Sequence, residues 1–113
     1  MIFAKTPAPP YWAVIFTNQQ SDDTAGYAAM ADTMEELAAQ QPGFLGIESV
    51  RGDDGAGITV SYWQSEADMV AWKGVTAHVI AERFGKERWY KGYGTRVAQV
   101  TRDYAFGAAR ESE

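Results

Sequence analysis

The chain has 113 residues, 46% of them hydrophobic and 13% aromatic, which fits one folded domain with a modest core and excludes a disordered chain. Its net charge of −5 argues against nucleic-acid and anionic-membrane partners, because both require a cationic surface. With no cysteine and a single histidine, His78, the chain has no disulfide, no thiolate nucleophile, no iron–sulfur cluster and no zinc site of the usual nitrogen and sulfur ligands.

The first ten residues, MIFAKTPAPP, lack the apolar run and cleavage site of a secretory signal. Pro7, Pro9 and Pro10 predict a flexible arm over residues 1–10. One domain is expected over 11–106, with a frayed tail at 107–113. No apolar run reaches the roughly 18 residues of a membrane span, and a cytoplasmic location is expected. Asp22-Asp23 and Asp53-Asp54 lack the ligand spacing of a calcium loop and read as turn residues.

Tyr11–Asn18, YWAVIFTN, is rich in aromatic and branched residues and predicts a strand. The polar stretch after it carries helix-start chemistry. Within residues 23–40, Tyr27, Met30, Met34 and Leu37 fall at helical spacing, and Pro42-Gly43 ends the helix. Phe44–Arg51 reads as a second strand, Asp54-Gly55 as a hairpin turn, and Gly57–Gln64 as a third strand. SEAD, residues 65–68, puts Ser65 at an N-cap with Asp68 in the place of the usual Glu. A second helix should follow, with Met69, Trp72, Thr76 and Val79 on one face, weakened at Gly74 and closed by Phe84-Gly85. The last strand is expected from Tyr93 to Phe106. This β-α-β-β-α-β order predicts a ferredoxin-like α+β fold, an antiparallel sheet with two helices on one face.

Such a sheet should alternate apolar and polar residues, yet the first strand is apolar on both sides. Trp12, Val14 and Phe16 point one way; Tyr11, Ala13 and Ile15 point the other. The second strand divides Phe44 and Val50 from Leu45 and Ile47, and the third divides Ile58, Val60 and Tyr62 from Trp63. Two helices cannot cover both faces, so a homodimer with facing sheets is expected. The fourteen residues of the last strand would reach about 45 Å, long enough to pair beyond their own sheet.

Few residues can carry chemistry. Trp72 is either core or the wall of a pocket. His78 lies about 120° around an unbroken helix from Trp72. It is a surface histidine, or, if the helix breaks near Gly74, an inward-facing general base. Asn18 ends the first strand near the mouth of the fold. Arg96 and Arg102 would neutralise an anionic substrate or form salt bridges. Trp63, Trp89 and Tyr90 read as packing or interface. GDDGAG is a turn and not a phosphate loop, since no Lys-Ser/Thr and no helix follow it.

Three stretches, PGFLGIES (42–49), YWQSEADMVAWK (62–73) with His78 downstream, and ERWYKGYGTR (87–96), resemble the antibiotic biosynthesis monooxygenase domain family. The resemblance spans most of residues 11–106. It implies a dimeric α+β barrel with a pocket between sheet and helices in each subunit. It also implies a cofactor-independent monooxygenase that oxidises a small aromatic or phenolic substrate with molecular oxygen. In that reading His78 is the base, Trp72 packs against the substrate and Asn18 holds an oxygen. No metal or flavin is needed, because a phenolate reacts with oxygen directly in a dry pocket. The family also holds haem degraders, so a haem- or small-molecule-binding dimer with little catalysis is the alternative. Here Trp72 and His78 are closer in sequence than in those enzymes. An RNA-recognition module shares the element order, but GITVSYW (57–63) lacks the basic residue of that pattern.

Overall fold

The structure, a computed structural model, describes residues 3–83 and 89–109, with side chains over 3–76 and 89–109. Its elements are β1 (Tyr11–Gln20), α1 (Tyr27–Ala39), β2 (Phe44–Arg51), β3 (Ala56–Trp63), α2 (Glu66–Arg83) and β4 (Tyr90–Val100). The strands form one antiparallel sheet in the order β2-β3-β1-β4. This is the ferredoxin-like α+β arrangement, with α1 against β2 and α2 against β1 and β3.

Local chemistry sets the boundaries. Gly26 at φ 81° precedes α1 and supplies no side-chain cap, so the helix starts at Tyr27 rather than at residue 23. After α1, Gly43 at φ +80° reverses the chain, and a Cβ there would overlap the carboxylate of Asp68. Ser65 caps α2 as expected: its Oγ accepts from Asp68 N at 3.1 Å and donates to Asp68 Oδ2 at 2.8 Å. α2 then runs without interruption to Arg83, and Gly74 does not break it.

The core lies between the helices and one face of the sheet, here the inner face. Ala38, Trp63, Met69 and Trp72 are buried together, with Trp12, Val14, Met34, Leu37, Phe44 and Val75 packed around them. Trp63 and Trp72 stack at 5.7 Å and 29°. Val75, and not Thr76, fills the place beside Trp72; the Thr76 hydroxyl donates back to the Lys73 carbonyl at 2.9 Å. Val79 lies outside the described side chains.

Two expectations about the strands need correction. A bulge between Phe44 and Gly46 shifts β2 by one residue, so Phe44 and Ile47 share the inner face while Val50 turns outward beside Ile58. β4 ends at Val100, not at Phe106. Val100 pairs with Tyr11, the first residue of β1, and beyond it no strand remains to bond to. Residues 101–106 continue without regular structure and are exposed.

Candidate active site on the inner face of the sheet

The strand registers lay the inner face out in rows. The first is Phe44–Trp63–Trp12–Gln99, the second Ile47–Ser61–Val14–Val97, the third Ser49–Thr59–Phe16–Thr95 and the fourth Arg51–Gly57–Asn18–Tyr93. Over β3 and β1 the first two rows lie under the helices, where Trp63 Nε1 donates to Ser61 Oγ at 2.9 Å, whereas Gln99 and Val97 on β4 are exposed. The third row is different. Ser49 and Thr59 share an exposed hydrogen bond of 2.8 Å, so the helices leave a polar opening midway along the face.

At the far end of that opening sits Asn18. It is 5% exposed, and among the described residues neither its Oδ1 nor its Nδ2 has a hydrogen-bond partner. Leaving such an amide buried and unpaired costs about 1–3 kcal/mol, which marks the position as one suited to a polar ligand. Aromatic rings surround this end. Phe16 meets Tyr90 at 5.5 Å and Tyr93 at 5.4 Å, and Tyr27 meets Trp89 and Tyr90 at 5.8 Å each.

Arg51 completes the corner. Its Nη1 donates to the Gly55 carbonyl at 2.6 Å and its Nη2 to Tyr27 Oη at 2.7 Å, with the guanidinium 5.2 Å from the Tyr27 ring centre. Tyr90 Oη donates to Tyr27 Oη at 3.3 Å. Burial, then the bond to Tyr27, pushes the Tyr90 phenol well above its ordinary range, so it stays a neutral donor at physiological pH.

The structure separates two of the residues singled out from the sequence. Trp72 belongs to the dry stack on Trp63 in the first row, while Asn18 lies in the fourth, six residues and about 20 Å further along β1 than Trp12. His78 lies on the unbroken part of α2, and its side chain falls outside the described residues. Arg96 pairs with Ile15 on the outer face and Arg102 lies past the end of β4, so neither reaches this corner. Arg51, Tyr27 and Tyr90 were missed. Strand parity gives no signal for Arg51, because counting from Phe44 puts it on the outer face and only the bulge in β2 brings it inward.

A cavity of about 390 Å³ opens on the opposite, outer face, between the N-terminal segment, Tyr11, Glu48, Tyr62 and residues 103–105. Glu48 accepts from Tyr62 Oη at 2.7 Å and from Ala4 N at 3.1 Å, and Asp103 accepts from Tyr11 Oη at 2.7 Å. Its acids are thus tied to phenols and backbone. Among the described residues no cluster of three or more metal-ligating side chains occurs, and no helix is long and apolar enough to cross a membrane.

The chain is similar to proteins of one family. The sequence profile of the antibiotic biosynthesis monooxygenase domain matches residues 10–81. The uncharacterised protein YqjZ of Bacillus subtilis is 50% identical over 103 residues, 91% of this chain and 90% of that protein. A jasmonate monooxygenase of Pyricularia oryzae is 30% identical over 95 residues, 80% of this chain but 43% of that longer protein. In three dimensions, SnoaB, a cofactor-independent oxygenase from Streptomyces nogalater, superposes with a TM-score of 0.61 at 14% identity, covering 86% of this chain and 97% of that one; at that identity the match speaks for the fold alone. The chain belongs to the antibiotic biosynthesis monooxygenase family.

Proposed function

We propose that this chain is a cofactor-independent monooxygenase that oxidises a small aromatic or phenolic substrate, working as a homodimer. The observation that carries the reading is Asn18, a buried amide with neither atom paired among the described residues, beside a cluster of aromatic rings in a member of this family. The substrate loses a proton to a base and its anion reacts with oxygen; one oxygen atom enters the quinone product and the other leaves as water. The protein supplies the base, a hydrogen bond from Asn18 Nδ2 to the anionic oxygen, and a surface that excludes water. His78, on α2, is the proposed base. An imidazole ordinarily titrates near ~6.5, so activity carried by it falls as pH drops through that range. Trp72 is proposed to act from behind, holding α2 against the sheet through its stack on Trp63.

The dimer is supported by what one chain leaves uncovered. Val50 and Ile58 pair on the outer face at 57% and 44% exposure. Past the end of β4, Tyr104 and Phe106 are 86% and 92% exposed. Large apolar side chains left exposed at both ends of the sheet suit burial against a second copy. A cytoplasmic location agrees with a cysteine-free chain.

The test follows absorbance of an anthrone-type phenol with purified protein in air and under nitrogen, and separately of haemin. Oxygen-dependent loss of the phenol is expected. A shifted Soret band with no phenol turnover would replace this reading with haem binding.

A further inference from the structure

We propose that Arg51, held by Tyr27 beside Asn18, anchors a carboxylate on the ligand, so that this cleft takes an aromatic carboxylic acid in preference to a neutral aromatic of the same shape. The inference rests on the proposed reading of Asn18 as a ligand-facing residue and adds the chemical class of what it faces.

The argument starts from the fourth row. Arg51 pairs with Gly57, and Gly57 pairs with Asn18. A Cβ built on Gly57 would fall 2.8 Å from Arg51 Cζ and Nη1. The guanidinium therefore lies over Gly57, in the space a side chain would fill. Adjacent strands are about 4.8 Å apart, which brings the cation one strand from the buried amide. Glycine at 57 is what allows this approach.

The guanidinium is also available. Both of its described partners are neutral, a carbonyl and a phenol. They use two of the five N–H donors an arginine carries. Tyr27 receives a bond from Arg51 Nη2 and a second from Tyr90 Oη, so the phenol fixes the plane of the guanidinium without neutralising it. In a chain of net charge −5, a half-buried arginine whose partners among the described residues are all neutral is suited to a bound anion. A planar fork of N–H groups matches a carboxylate better than any other common organic anion short of phosphate. Asn18, next in the row, then receives an oxygen function close to that carboxylate on the ligand, and the ring extends past Asn18 toward Phe16 and Tyr93.

The test is calorimetric titration under nitrogen with 2-naphthoate and with 2-naphthalenemethanol, a pair that differs in charge and little in shape. The wild-type chain is expected to bind naphthoate at least about tenfold more tightly, the effect of one charge-assisted contact. Arg51→Gln should remove that preference. Gly57→Ala tests the geometry with the charge kept: the flexible guanidinium is displaced, so thermal stability stays near wild type while the preference falls. Equal binding of the two probes, no binding of naphthoate, or a preference unchanged in both variants would overturn the proposal. Turnover does not enter these readings. A chain that oxidises neutral phenols but ignores naphthoate loses only this inference. A chain that holds naphthoate through Arg51 yet never consumes oxygen with a phenol loses only the proposed activity.

Discussion

Asn18 sets a conflict between stability and function at one position. Its amide, unpaired among the described residues, is a cost that an apolar side chain of similar size would not carry. Asn18→Leu is therefore expected to raise the free energy of unfolding by about 1 kcal/mol, as measured in urea, while removing phenol oxidation. A loss of stability would show that the amide has a partner in the folded chain. Three tyrosines carry a second consequence. Burial raises the phenol of Tyr62, assisted by its bond to Glu48, and burial likewise raises Tyr11 and Tyr90. Each holds its proton in the folded chain above the pH, about 10, at which the unfolded chain releases it. The stability they contribute is thus full below pH ~10 and declines as pH rises beyond it. Phenolate absorbance should lag for these groups in alkali and appear with unfolding. Ordinary titration of all the tyrosines in the folded protein would contradict their burial.

The two helices depend on very different devices. α1 begins on a glycine with no side-chain cap, whereas α2 begins on Ser65 bonded to Asp68. Ser65→Ala should cost about 1 kcal/mol. Gly43→Ala should cost more, about 2 kcal/mol or above, since it combines a positive φ with overlap onto Asp68. Trp72→Ala should cost about 3–5 kcal/mol in thermal or urea unfolding, because its ring is part of the Trp63 stack. A Trp72 variant of unchanged stability would mean that the ring lines a pocket. The sequence was informative where side-chain chemistry is local. SEAD announced the start of α2, Pro42-Gly43 the end of α1, and Asp54-Gly55 the hairpin. It was uninformative where partners decide. The bulge at Phe44 reversed the faces of β2, and β4 stopped at Val100 because β1 offers nothing past Tyr11. Asn18 was legible as a polar residue in an apolar strand. Its burial without a partner, and the place of Arg51 over Gly57, arise only when three strands stand in register.

At the scale of the molecule, the sheet has one face with a core and another only partly covered. The N-terminal segment reaches Glu48 through Ala4, but Val50, Ile58 and the aromatic residues after β4 are left to solvent in a single chain. Light scattering coupled to size exclusion should give twice the chain mass. Replacing Tyr104 and Phe106 together with serine should shift that mass toward one chain. The central claim, oxidation at a cleft ended by Asn18, is tested most directly with an oxygen electrode and chelator-treated protein supplied with an anthrone-type phenol. The account predicts oxygen uptake in proportion to quinone formed, and its loss in Asn18→Leu with the fold intact. No uptake with the wild-type chain, or an equal rate in that variant, would contradict it.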